Sequence, residues 1–87
     1  MHDVILPKTG LYEDDIVLIE WLVEEGSKVA VGDPIFVIAS EKVEMEIESF
    51  VEGWIHLEAE PGLEAPIGTR IAVVADSELA YRELVDQ

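Results

Sequence analysis

Along residues 43–48 the side chains alternate strictly: Val43, Met45 and Ile47 are apolar, and Glu44, Glu46 and Glu48 are acidic. A period of two marks a β-strand with one face turned to a core and the other to water. The pattern therefore predicts a strand whose apolar face packs and whose acidic face is solvated. The other apolar runs, "VIL" at 4–6, "IVLIEWLV" at 16–23, "IFVIA" at 35–39 and "IAVVA" at 71–75, are of strand length and rich in β-branched residues. Prolines at 7, 34, 61 and 66 and glycines at 10, 26, 32, 53, 62 and 68 cut the chain too often for long helices. An all-β domain of short strands follows. Only the tail "SELAYRELVDQ" departs from this pattern. Ala80 with Leu84 and Tyr81 with Val85 stand at helical spacing, which predicts a short helix or a frayed end without a role of its own. The domain is placed at 1–76, with 77–87 as a tail or the start of a linker.

The chain also repeats itself. Laying "EGSKVAVGDPIFVIA" (25–39) over "PGLEAPIGTRIAVVA" (61–75) superposes Gly26 on Gly62, Val31 on Ile67, Gly32 on Gly68, Ile35 on Ile71 and Ala39 on Ala75, at a constant offset of 36. A turn–strand unit used twice predicts two halves of about four short strands each, folded together with approximate two-fold symmetry. In that arrangement the strand at 35–39 runs into the strand at 43–48 through "SEK", a hairpin with Glu41 and Lys42 near its tip. The chain termini lie at the opposite end. Trp21 and Trp54 fall at near-equivalent places in the two halves, which suits packing or sheet-surface roles.

Composition narrows the function classes. At 87 residues the chain is one small domain, because a domain typically needs about 100–150 residues and a second core would not fit. Twenty acids against five bases give a formal charge of -15. Nucleic acid and anionic membranes would have to bind against that field, so neither is expected as a partner, and the charge favours a monomer. There is no cysteine, which fits a reducing compartment: the cytoplasm of a bacterium or archaeon, or the mitochondrial matrix of a eukaryote. No run of about 20 apolar residues is present, and "MHDVILPKTG" has neither the basic start nor the apolar stretch of a signal peptide.

Catalytic and metal-binding patterns are missing. His2 and His56 match no metal-ligand spacing, and no nucleophile–base pair or phosphate-binding glycine loop is present. Glu44, Glu46 and Glu48 could suggest a row of cation ligands. Same-face residues of a strand, however, lie about 7 Å apart, too far for three carboxylates to close on one ion without a loop. The remaining candidate is Lys42, one of five bases in the chain, set between Glu41 and Glu44. A lysine that acts as a Schiff-base nucleophile needs a lowered pKa, and neighbouring acids instead favour its charged form. Lys42 therefore suits attachment of a group by a separate enzyme at an exposed tip. The bland alternative is an ordinary solvated turn lysine.

Read together, "LPKTG", "IEWLVEEGSKVAVGDPIFVIASEKVEMEIES" and "GWIHLEAEPGLEAPIGTRIAVV" resemble the lipoyl domains of 2-oxo acid dehydrogenase acyltransferases, over nearly all of residues 4–75. The resemblance rests on the "VxxGDPI" turn, the acid and lysine at the tip, the "ExES" strand, and then "GxI" with the second glycine-spaced turn. It implies a flattened β-barrel, or barrel-sandwich hybrid, of two four-stranded antiparallel sheets related by a pseudo-two-fold axis. It implies lipoic acid in amide linkage on Lys42, with Ser40, Glu41, Val43 and Glu44 recognised by the attaching enzyme. Such a domain is a carrier without catalytic activity of its own. Its attached dithiolane accepts an acyl group and two electrons and hands both on. The implied partners are a lipoate ligase or lipoyl transferase, a thiamine-dependent 2-oxo acid dehydrogenase, dihydrolipoamide dehydrogenase and the acyltransferase core. The loop Lys8, Thr9, Gly10, Leu11, Tyr12, Glu13, Asp14 and Asp15 lies beside the modified lysine in that family and becomes the expected partner-recognition segment. Two features depart from the pattern. The tip reads Glu41–Lys42–Val43 where the family commonly has Asp-Lys-Ala, and the loop offers Asp14 and Asp15 in place of a glutamate-glycine entry to the second strand. A biotinyl carrier domain would share the fold but puts methionine on both sides of its lysine, whereas here the flanks are Glu41 and Val43. An unmodified adaptor of the same fold would not depend on the lysine at all.

Overall fold

The computed structural model describes residues 1–8, 15–40 and 43–86. Among these, eight strands and one helix follow in order: β1 (His2–Ile5), β2 (Ile16–Trp21), β3 (Lys28–Val29), β4 (Pro34–Ala39), β5 (Glu44–Glu48), β6 (Gly53–Leu57), β7 (Glu64–Ala65), β8 (Arg70–Ala75) and α1 (Glu78–Val85). The strands form two four-stranded antiparallel sheets, one in the order β1-β8-β6-β3 and the other in the order β5-β4-β2-β7. Exchanging β1 with β5, β2 with β6, β3 with β7 and β4 with β8 converts the first order into the second. The duplication read in the sequence is thus a two-fold relation between the sheets, as expected for a flattened barrel. The repeated turns agree with it: Gly32 and Gly68 adopt φ of +94° and +91°, a region in which a β-carbon would be strained.

The core lies between the inner faces. Val4, Ile55, Ala72 and Val74 come from one sheet and Leu18, Phe36, Ile38 and Ala65 from the other, all buried. Trp21 packs edge-on against Phe36, with ring centroids 5.5 Å apart, and its Nε1–H donates to the Ala59 carbonyl at 2.9 Å. The two-residue strands β3 and β7 are what the apolar runs did not reveal, since a pair of bridging residues is too short to show a period.

Three expectations need correction or completion. First, Trp21 and Trp54 are not two-fold mates. The register pairs Trp21 with Phe36 and Leu57 with Ala72, so the mate of Trp21 is Leu57, and by the same reasoning that of Trp54 is Val17. A register irregularity between Leu18 and Glu20 adds one residue to β2 and breaks the constant offset there. Second, the apolar face of β5 packs only at Ile47. Met45 and Val43 are 37% and 44% exposed, because β5 is an edge strand and cover fades toward its hairpin end. Third, the tail is a capped helix. The Ser77 hydroxyl accepts the Ala80 N–H at 3.0 Å, and the half-buried Ala80, Tyr81 and Leu84 share one side of a helix that lies against β6 and β8. This explains why all five residues from Ile71 to Ala75 are buried: one set faces the core and the other faces the helix.

Candidate functional site

Strands β4 and β5 form the hairpin expected around Lys42. Their register runs Val37 to Glu46, Ile38 to Met45 and Ala39 to Glu44, and the Ser40 N–H donates to the Val43 carbonyl at 2.8 Å. Glu41 and Lys42, which link these two residues, lie outside the described residues. What the structure locates is their frame. Ser40 is half-buried, and Val43 and Glu44 are exposed, so the β5 leg of the hairpin opens to solvent where the two-residue link ends.

The same end of the barrel collects the flanks of the first loop. Val17 pairs with Ala39, so the exposed Asp15, just before β2, lies at the hairpin end. Leu6 is bonded to the turn after β7, through Leu6 N–H to Thr69 O and Gly68 N–H to Leu6 O, both 2.9 Å. Since Ile16 pairs with Ala65, that turn belongs to this end too, and Lys8, exposed, leaves from it. Thr9, Gly10, Leu11, Tyr12, Glu13 and Asp14 lie outside the described residues. The register brings Lys8, Asp15, Ser40, Val43 and Glu44 to one end, while the N-terminus and the end of β8 occupy the other, where His2 pairs with Val74 and its Nε2–H donates to Asp76 Oδ1 at 2.8 Å.

The electrostatics of this region are one-sided. The outer face of the β5-β4-β2-β7 sheet presents Glu20, Glu44, Glu46 and Glu64, and none of its four strands contains Lys, Arg or His. Among the described residues, no group of three or more His, Cys, Asp or Glu is placed to hold a metal ion, and no helix is long and apolar enough to cross a membrane.

A second polar cluster, not apparent from the sequence, sits away from the hairpin. Glu25 accepts hydrogen bonds from the Tyr81 hydroxyl at 2.6 Å, His56 Nδ1–H at 2.9 Å and the Leu57 N–H at 2.8 Å. Burial pushes the Glu25 carboxyl up, but the bonds from Tyr81, His56 and Leu57 outweigh it and leave its pKa below the ordinary value. Tyr81 is pushed up to about 12, first by its bond to Glu25 and then by burial. These residues are 31 and 56 positions apart, so no local spacing could have joined them. The cluster fixes α1 to the barrel.

A family model described as "Biotin-requiring enzyme" matches residues 2–74. Among curated proteins, the chain is 28% identical over 79 residues to the chloroplastic dihydrolipoyllysine-residue acetyltransferase component 5 of the pyruvate dehydrogenase complex of Arabidopsis thaliana, a match over 90% of this chain and 17% of that protein. It is 35% identical over 81 residues to the dihydrolipoyllysine-residue acetyltransferase component of the acetoin cleaving system of Bacillus subtilis (strain 168), covering 92% of this chain and 20% of that one. The corresponding component of Pseudomonas putida is 27% identical over 85 residues, 97% of this chain and 23% of the relative. The chain thus spans about a fifth of the length of the curated relatives it matches.

Proposed function

The chain belongs to the biotin/lipoyl family and is a carrier domain of the lipoyl type, and from that premise we propose that Lys42 is the residue that carries lipoic acid in amide linkage. The observation that carries this is the hairpin frame. A Ser40–Val43 hydrogen bond leaves only two residues to turn the chain, between a half-buried leg at Ser40 and an exposed one at Val43 and Glu44, at one end of the barrel. A separate enzyme can reach an amine beside the exposed Val43 and Glu44. Glu41 and Val43 flank Lys42 where a biotinyl carrier would have methionines, which favours lipoate over biotin.

The protein's own part is positional. The β4–β5 ladder holds the two legs of the hairpin in register as far as Ala39 and Glu44, and an arm on Lys42 would supply reach and a high local concentration at each active site. When attached, lipoic acid supplies a dithiolane that accepts an acyl group and two electrons. Ser40, Glu41, Val43 and Glu44 form the surface the attaching enzyme reads, a lipoate ligase or a lipoyl transferase. The segment 8–15 sets which thiamine-dependent 2-oxo acid dehydrogenase is served, with dihydrolipoamide dehydrogenase and an acyltransferase core as the other partners of the cycle.

Co-expression with a lipoate ligase and lipoate, followed by intact mass measurement and peptide mapping, tests this reading. The expected result is one lipoyl-sized increase carried by the peptide that contains Lys42. A folded protein with no increase overturns it, and a biotin adduct formed with a biotin ligase and captured by streptavidin in its place transfers the assignment to biotin.

A further inference from the structure

The outer faces of the two sheets correspond position for position. On the β1-β8-β6-β3 sheet, one cross-strand row reads Asp3, Val73, His56 and the next reads Ala75, Trp54, Lys28. On the β5-β4-β2-β7 sheet, the matching rows read Glu46, Val37, Glu20 and Glu44, Ala39, Val17, Glu64. Both faces have a centre of valine and alanine. On the first, α1 lies against β6 and β8, and Val73 and Ala75 are buried. On the second, none of the described residues plays that part; Val37 is buried between the flanking rows, while its neighbours Ala39 and Val17 are only half-buried where Ala75 is fully covered.

We propose that the outer face of the β5-β4-β2-β7 sheet docks a helix of a protein partner, one with an apolar stripe flanked by Lys or Arg, in the seat that α1 fills on the two-fold-related sheet. The covered face shows what such a seat accepts: eight residues, with Ala80, Tyr81 and Leu84 turned inward. Charge decides the occupant. Helix α1 holds two glutamates against one arginine, and the sheet beneath it bears Lys28 and His56. At the matching positions the open face bears Glu64 and Glu20, with Glu44 and Glu46 along its other edge and no base in its strands. A helix like α1 would meet like charges there, whereas a basic helix meets four carboxylates around an apolar centre. The seat reaches Ala39 and Glu44, the last paired residues before the hairpin. A partner held there has the hairpin within reach. That it is an enzyme acting on Lys42 rests on the function proposed above; the docking itself does not.

The test is a titration of the isotopically labelled protein with a synthetic helical peptide that carries an Ala/Leu stripe flanked by lysines, followed by amide shifts. The shifts are expected at Val17, Glu20, Val37, Ala39 and Glu46. The combined change Glu20→Gln, Glu46→Gln and Glu64→Gln should weaken binding about tenfold, while Glu24→Gln, Glu52→Gln and Glu83→Gln, which remove the same charge elsewhere, should leave it nearly unchanged. Shifts spread over the whole acidic surface, or equal weakening by both triple variants, overturn the proposal, as does an absence of binding. The initial rate of lipoylation by a ligase should fall in the first triple variant and not in the second. If the unaltered protein takes up no lipoate, the functional reading fails while the peptide titration still decides the docking.

Discussion

The two sheets share one strand order and one set of turns, yet their last strands lead to opposite ends of the molecule and to opposite fates. β8 ends at Ala75 and passes through Ser77 into a helix that folds back over its own sheet, fixed by Tyr81 and Glu25. β4 ends at Ala39 and passes directly into the hairpin that holds Glu41 and Lys42. The first exit closes a face; the second leaves an edge strand, an acidic face and two exposed apolar residues, Val43 and Met45, in water. A duplicated scaffold thus supplies one half whose outer face a helix covers and another whose outer face no described residue covers in that way. The difference lies in the few residues after each repeat and not in the repeat itself.

Substitutions at paired positions should sharpen this contrast. The largest effect is expected at Phe36, fully buried beside Trp21, whose two-fold mate is Ala72. With a small mate the opposite sheet has no large side chain to fill the space, and Phe36→Ala should cost about 3–5 kcal/mol in denaturant unfolding. Next is Gly53, where β6 passes so close to β8 that a β-carbon would collide with the Ala75 carbonyl and stand 2.7 Å from Val74 Cγ1. Its mate in the other sheet is the buried Ile16, so close approach is a property of one half only. Gly53→Ala should cost about 1–3 kcal/mol, by overpacking.

Smaller effects should appear at the helix. Tyr81→Phe removes the 2.6 Å bond to Glu25 and should cost about 0.5–1.5 kcal/mol, and Ser77→Ala, which removes the N-cap, a similar or smaller amount. The pH dependence has two limbs. The Glu25 pKa lies below its ordinary 4.5 in the folded protein, so its contribution is present above that value and is lost as pH falls through the lowered pKa. The Tyr81 pKa is raised from 10.0 to about 12, so its contribution is complete below pH 10.0 and fades as pH rises toward 12. Amide exchange in α1 should therefore accelerate at both extremes before exchange in β4 does, and Tyr81→Phe should abolish the alkaline limb and shrink the acid one, because the Tyr81 hydroxyl is among the donors that lower the Glu25 pKa. Exchange that rises equally in both sheets would mean that the helix is not held by this cluster.

Much of the fold was legible because its strands are short and punctuated. The repeated glycines gave the symmetry, and Val43 to Glu48 gave the strand after the tip. The two-residue strands β3 and β7 left no period to read. The equivalence of Trp21 and Trp54 failed because their separation of 33 differs from the repeat offset of 36, which sets Leu57 opposite Trp21, and the extra residue near Ile19 then moves the mate of Trp54 to Val17. The packing of Val43 and Met45 was misread because alternation reports which face a side chain takes, not whether anything lies opposite. Lys42 was singled out by charge context and resemblance and lies outside the described residues, whereas Ser40, Val43 and Glu44 stand where a hairpin requires. The outer-face partners Glu20 and Glu64 could be joined to Glu44 and Glu46 only through cross-strand pairing, across sequence gaps that local patterns do not bridge.

The chain has three lysines, at 8, 28 and 42, and the central claim assigns the arm to one of them. The most direct measurement is the extent of lipoylation by a lipoate ligase, read by intact mass, in Lys8→Arg, Lys28→Arg and Lys42→Arg proteins with unchanged thermal unfolding. Full modification of the first two and none of the third is the predicted result. A lipoyl increase that survives in Lys42→Arg would contradict the account.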